Sequence, residues 1–352
     1  EATTDARERL SKTVTRLAYD FKIRQAVNIM QTAAESNEEM PFEDKMRLLR
    51  EKFLHRETVL EEATLATTIP FNTIAVRKAI KSIPNNAANC IDGWSPALLR
   101  QAISTLPDIA DEIGFIAAQI NDSQFGTLAM DIIRAGRLVA VPKPTGGIRP
   151  ITISSFFAKL TGTLIWIKTR PRCSQYQFAI GKKRGCERII HSTRKALAEG
   201  RAVIRIDVVN AFNHANRARI QQLINGMDSD IMSYFQTMYG PKAKLFVYGP
   251  SEIDMVEFEE GVRQGDAFSG LFFFFCLLMD QVCAEFKERI DDDSTIPASF
   301  MDDLTITCNP DNALNCIEAI SCALHNWGFK VNYEKSAILF PEAYDAPHSA
   351  AD

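Results

Sequence analysis

Apolar residues recur at helical spacing through the first third of the chain. Leu10, Val14, Leu17, Ala18 and Phe21 form one such set, and Met46, Leu48, Leu49, Phe53 and Leu54 form another. This spacing lines one face of an α-helix, and the stretch to about residue 65 reads as helical throughout. Pro41 and the acids after it mark a break and a new helix start. A third segment follows Pro70, carries Ile74, Val76, Ala79 and Ile80, and runs into a loop at Pro84-Asn85-Asn86. Helices resume from Ser95 to about Ile133.

The texture then changes. Leu138-Val139-Ala140-Val141 is a short β-type run, Pro144 to Gly147 a turn, and Ile148 to Ile153 a second strand, so a hairpin is expected with basic residues near its tip. Helices are expected over roughly 156–167 and 185–199. Ala202 to Val208 is rich in β-branched residues and nearly all apolar, the pattern of a strand buried on both faces. It contains a carboxylate, Asp207, and gives way to a helix near Ala215. Leu245 to Tyr248 and Val256 to Glu260 read as paired strands around Gly249-Pro250. A loop over 261–266 leads into an apolar helix from Leu271 to about Ile290. Last, Ala298 to Phe300 and Leu304 to Thr307 form a second hairpin with Asp302 and Asp303 at its tip.

Composition narrows the class. With 46% hydrophobic and 24% charged residues, the 352-residue chain can bury a large core, which excludes a wholly disordered or collagen-like protein. The longest strongly apolar run, Leu271 to Met279, is nine residues, against the ~20 of a membrane helix. Glu1 to Arg9 is charged and polar, unlike a secretory leader. Eight cysteines show no CxxC pair and read as reduced, mostly buried thiols of an intracellular protein.

The net charge of −4 hides an asymmetry. From Arg134 to Arg219 there are 18 Lys or Arg against three acids, a net of +15 over 86 residues, so the remainder carries −19. A block this lopsided favours a polyphosphate surface over a set of solvated helix faces.

Candidate chemistry sits on the carboxylates. An unpaired carboxylate beside apolar strands is costly to bury and wants a cation or a hydrogen-bond network. Carboxylates on adjacent strands can hold two Mg²⁺ ions about 3.5–4 Å apart, the clamp of in-line phosphoryl transfer. For a lone Asp-Asp, ordinary turn chemistry would be the better reading.

The neighbours decide otherwise. Asp207-Val208-Val209-Asn210-Ala211-Phe212, then Arg263-Gln264-Gly265-Asp266, then Phe300-Met301-Asp302-Asp303, form an ordered series that resembles the motifs of reverse transcriptases. The likeness is to the non-LTR retrotransposon enzymes, particularly those of the R2 type. Cys90 to Ser95, Val141 to Ile151, Gln177 to Glu187 and Trp327 to Ser336 are similar to that family's lead-in, fingers hairpin, post-hairpin stretch and last palm motif.

The resemblance implies an α+β right-hand polymerase, fingers and palm, whose antiparallel palm sheet is backed by helices. A helical N-terminal extension would cover 1–85, the fingers 86–200, the palm 201–340 and a frayed tail 341–352, with no thumb. It implies template-directed DNA synthesis with an RNA template, a DNA primer and dNTPs as partners, no membrane, and two Mg²⁺ (or Mn²⁺) as cofactors. Asp207 and Asp302 would ligate both metals, Asp303 would stand alongside, and Val208 would contribute its backbone carbonyl. Lys143 and Arg149 would grip the triphosphate. Gln264 and Gly265 would lie against the nucleotide. Lys335 would protonate the leaving pyrophosphate. Phe212 would stand beside the sugar's 2′ position and select deoxynucleotides. Lys182, Lys183 and Arg184 would meet template phosphates. His191 and His214 read as surface or helix-packing residues. The chain departs from the family at Ala267-Phe268-Ser269-Gly270, where a proline and a Gly-Pro pair are usual. Two other readings follow from the same residues: a catalytically silent RNA-binding scaffold, and an RNA-dependent RNA polymerase, which Phe212 and the Met-Asp-Asp tip disfavour. The location expected is nucleus or cytoplasm.

Overall fold

The structure is a computed structural model that describes residues 40–55, 59–61, 67–84, 91–143, 147–263, 269–342 and 344; the side chains of 269–273 are not described. The expected helix over 10–21, Cys90, the hairpin tip at 144–146 and the 264–268 loop lie outside these residues. By their contacts the described residues divide into two units, one holding 40–50 and 140–150, the other 51–139 and 151–344.

In the first unit, helix α1 (Phe42–Arg50) buries Met46 and Leu49. It stops at Arg50, short of the expected Leu54, which is 40% exposed. Across the hairpin the Lys143 amide donates to the Gly147 carbonyl, 3.0 Å.

The second unit begins with helices that their caps define. Asn72 accepts from the Ala75 amide at the start of α2 (Thr73–Ser82), and Ser95 accepts from Leu98 at the start of α3 (Pro96–Thr105), where Pro96 sits at the first position. Then come α4 (Ile109–Asn121), α5 (Thr127–Arg134) and, after the hairpin strands, α6 (Phe156–Thr169). Helices α2, α4 and α6 pack on one another. The N-terminus of α6 is held twice. Ser155 caps Ala158, and the Asp92 carboxylate accepts from the Phe156 amide at 2.6 Å. Burial pushes the Asp92 carboxyl above its usual range.

Two four-stranded sheets follow. Strands β1 (Gly136–Pro142) and β2 (Ile148–Ser154), then α7 (Gly185–Ala198), lead to β3 (Ala202–Ile206), α8 (Arg217–Ile224) and α9 (Ser229–Tyr239). After these come β4 (Ala243–Tyr248), β5 (Ile253–Phe258), α10 (Ser269–Arg289), β6 (Ile296–Phe300), β7 (Asp303–Cys308), α11 (Ala313–Asn326) and β8 (Ala337–Leu339). One sheet has the order β2-β1-β4-β5, the other β6-β7-β3-β8. The first draws β4 and β5, from the 201–340 stretch, into the same sheet as the hairpin strands. The second is antiparallel throughout, as expected for a palm, with α7, α10 and α11 packed on it.

The expectation that β3 is buried on both faces holds through Val203 and fails only toward the end of the strand. Ile204, Ile206, Leu304 and Ile306 are fully buried, whereas Arg205 and Asp303 are exposed and Asp207 half-buried. Strand alternation therefore gives one apolar face and one open polar face toward this end of the sheet. A turn lies between β3 and the helix expected near Ala215. Asn210 adopts a left-handed conformation (φ 48°), a 3₁₀ turn spans Ala211–His214, and α8 begins only at Arg217.

That turn is pinned by the 261–263 segment. The Gly261 amide bonds the Ala215 carbonyl and the Val262 amide bonds the Phe212 carbonyl, 3.1 and 2.8 Å. The buried Arg217 guanidinium donates to the carbonyls of Gly261 and Tyr239, 3.0 and 2.8 Å. Gly261 has φ +81°, and a Cβ there would come within 2.6 Å of the Asn213 backbone. Gly261→Ala should therefore cost on the order of 2 kcal/mol, read as a lower denaturant midpoint; an unchanged midpoint would contradict this packing.

Candidate active site

The register of β3 with β7 builds the site. Ile204 pairs with Ile306 and Ile206 with Leu304. Continued by one residue, it sets Asp207 opposite Asp303 on the open face, with Asp302 next to it in the turn. Opposed positions in an antiparallel pair lie about 4.5–5.5 Å apart at Cα. The sheet thus brings together the acids that the sequence separates by about 95 positions.

Asp207 is clasped by the last motif of the chain. The Asn332 side-chain amide donates to Asp207 Oδ2 at 2.9 Å, and the Asn332 backbone amide donates to the Asp207 carbonyl at 2.8 Å. Ser336 Oγ accepts from the Asp207 amide and donates to the Asn332 carbonyl, 3.1 and 2.8 Å. Val208 forms an antiparallel bridge with Val331. The bridge's hydrogen bonds use the Asp207 carbonyl and the Val209 amide, so the Val208 carbonyl takes no part in them.

These donors suit a hard cation. They are oxygens, and Mg²⁺ is commonly held by one or two carboxylates plus substrate phosphates, without an all-protein cage. Among the described residues no group of three or more His, Cys, Asp or Glu could hold a metal ion.

The remaining expected residues fall out differently. Phe212 is 7% exposed and stacks on Phe275 of α10, centroids 4.4 Å apart and planes 27° from parallel. Lys335 is exposed in a 3₁₀ turn, and its carbonyl accepts from Arg205. Lys182 is half-buried, its ammonium 4.1 Å from the Phe178 ring centroid, and burial lowers its pKa. Lys183 and Arg184 are exposed. Arg149 is exposed and Lys143 half-buried in the first unit; Gln264 and Gly265 lie outside the described residues. His191 is exposed, and His214 is held below its usual pKa by burial and then by Lys330 and Lys52. The seven described cysteines are free, and four of them are buried.

Residues 141–347 match the family described as reverse transcriptase (RNA-dependent DNA polymerase). The chain belongs to this family. It is 25% identical over 273 residues to the retrotransposable element SLACS 132 kDa protein of Trypanosoma brucei gambiense, covering 74% of this chain and 22% of that protein. It thus spans about a fifth of that relative's length. Among solved structures, telomerase of Candida tropicalis with a fragment of telomeric RNA covers 60% of this chain and 41% of its own at 15% identity, TM-score 0.45. The apo telomerase of the same organism, truncated from its C-terminal domain, covers 61% and 51% at 16% identity, TM-score 0.44. The described residues contain no helix long and apolar enough to cross a membrane.

Sequence reasoning placed Asn332, Ser336 and Arg217 only within motifs or passed over them, since nothing in their types marks a support for a distant carboxylate. Asn332→Ala should destabilise the fold by about 1–3 kcal/mol, as expected for a lost bond to a charged group. Asn332→Asp should be worse, because it replaces a donor to Asp207 with a second carboxylate. Denaturant midpoints check both, and equal losses would contradict the clasp.

Proposed function

We propose that this chain carries an RNA-directed DNA polymerase of the non-LTR retrotransposon kind, resembling the R2-type enzymes. It would copy an RNA template onto a DNA primer from dNTPs. The observation that supports this most is the opposition of Asp207 and Asp303 at the open end of an antiparallel sheet, on a chain of the reverse transcriptase family. In this reading residues 86–200 act as fingers and 201–340 as palm, and 1–85 extend them.

Asp207 and Asp302 would hold two Mg²⁺ ions (or Mn²⁺), with Asp303 alongside and the Val208 carbonyl adding an oxygen. When bound, the metals would lower the pKa of the primer 3′-hydroxyl and neutralise charge on the departing pyrophosphate. Asn332 would orient Asp207 by occupying Oδ2, leaving Oδ1 to face the site. Lys143 and Arg149 would receive the triphosphate, whose phosphates suit the forked donors of Arg and the point charge of Lys. Lys335 would return a proton to pyrophosphate, which suits its exposed position. Gln264 and Gly265 would lie along the base.

Phe212 would exclude a 2′-hydroxyl by steric contact. Its stacking on Phe275 supports this, because a ring locked from behind cannot yield. Of the basic triplet, Lys183 and Arg184 would meet template phosphates more directly than Lys182, which is spent on Phe178.

The deciding experiment is primer extension on an RNA template, comparing dNTPs with rNTPs and Mg²⁺ with EDTA. Extension only with dNTPs and Mg²⁺ is expected; rNTP use as efficient as dNTP use would favour an RNA polymerase, and no extension by a full-length protein would favour a silent scaffold. Asp207→Asn or Asp302→Asn should lower extension by about 10³-fold or more without unfolding the chain, and wild-type rates in either would refute the site. Phe212→Val should raise ribonucleotide incorporation while sparing most dNTP use. Alanine at Lys183 and Arg184 should each reduce the salt slope of RNA binding by about 1, with a smaller change at Lys182; a slope unmoved by all three would remove them from the template surface.

A further inference from the structure

The carboxylate turn is held in an unfavourable backbone conformation. Met301, directly before Asp302, has φ +59°, the left-handed region that a residue with a long side chain rarely adopts unless its surroundings impose it. Glycine would take this conformation freely, so something else in the protein must hold a methionine there.

Gln177 is placed to do this. Its side chain is fully buried, and Oε1 accepts from the Met301 amide at 3.1 Å and from the Ala179 amide at 2.9 Å. Its Nε2 donates to Ser299 Oγ at 3.0 Å. The backbone delivers the amide to that point. Residues 176–178 run along the free edge of β6, with the Ser299 amide bonded to the Tyr176 carbonyl and the Phe178 amide to the Ser299 carbonyl, both 2.8 Å. The segment is fixed in turn by α10, where the Asp280 carboxylate accepts from the Ser174 amide and hydroxyl, 2.5 and 2.8 Å. A continuous chain of bonds thus runs from Asp280 through Ser174 and Gln177 to the residue beside Asp302.

We propose that Gln177 is a positioning residue for the polymerase reaction: its amide stabilises the left-handed Met301 and so aims the Asp302-Asp303 pair at Asp207. This rests on the polymerase reading above for its catalytic consequence, although not for its structural one. Gln177 is fully buried and acts through the Met301 backbone. A core residue of the same size would fill the space, and only the amide satisfies the Met301 N–H that faces it.

The test is a double-mutant cycle between Gln177→Leu and Met301→Gly in the full chain, read by extension rate, by dNTP KM and by thermal melting of the metal-free protein. Gln177→Leu should lower kcat by about a hundredfold, the scale of an ångström-sized misplacement, with little change in KM. Met301→Gly, which removes the need for a holder, should return at least about tenfold of that loss and part of the melting temperature. If Gln177→Leu behaves like wild type, or if glycine at 301 restores neither rate nor melting temperature, Gln177 is core packing and the proposal falls. Should Gln177→Leu alone fail to fold, the proposal requires the Met301→Gly background to yield folded protein, and failure there too overturns it. A wild type without extension would refute the polymerase reading, while coupling between 177 and 301 in the melting data would still decide this one.

Discussion

The pairing of β3 with β7 is the constraint on which the rest depends. Its register puts Ile204, Ile206, Leu304 and Ile306 on the buried face, and the same register puts Asp207 opposite Asp303 on the other. The two results are inseparable, because side chains alternate with a period of two. A slip of β3 by one residue would expose Ile204 and Ile206 and drive Asp207 inward. Burial of the apolar face thus fixes the approach of the carboxylates, so the hydrophobic effect supplies much of the energy that holds like charges together.

What surrounds that pairing reduces freedom at the strand ends. Asn332 and Ser336 return from far down the chain to fix Asp207 on its side chain and backbone. On the other flank, Arg217 and Gly261 fasten the segment that enters the 264–268 loop against the 3₁₀ turn bearing Phe212. Helix α10 backs both, with Phe275 against the Phe212 ring and Asp280 against Ser174. The supporting groups are largely buried amides and a guanidinium, which lose little by leaving water when all their partners are present.

Much of this was legible beforehand. A nearly continuous run of apolar, β-branched residues located β3, the turn residues located both hairpins, and the order of Asp207, Gln264 and Asp302 pointed to a polymerase site before any pairing was known. The long-range supports were not legible, for a physical reason. Asn332 differs from any surface asparagine only through what it meets 125 positions away, and Met301 looks like an ordinary apolar residue until its φ is known. The helix end at Arg50 leaves no mark in the pattern, because Phe53 and Leu54 continue the spacing of α1 although Phe53 packs on Phe258 and Leu54 is exposed. The turn between Asp207 and the helix near Ala215 is legible, but its form is not, because a left-handed Asn210 leaves no pattern of hydrophobicity. Arg205 was absorbed into a buried strand because a single charge between isoleucines looks like an exception, when it marks the open face.

The central claim is that Asp207 and the Asp302-Asp303 turn converge on one metal-binding locus at the end of this sheet. Crystals grown with primer–template, a dNTP and Mn²⁺ would test it most directly through anomalous scattering. The account predicts Mn²⁺ peaks within coordination distance of both the Asp207 and Asp302 carboxylates and of the triphosphate. Peaks bound to the triphosphate alone, or at carboxylates elsewhere on the chain, would contradict it.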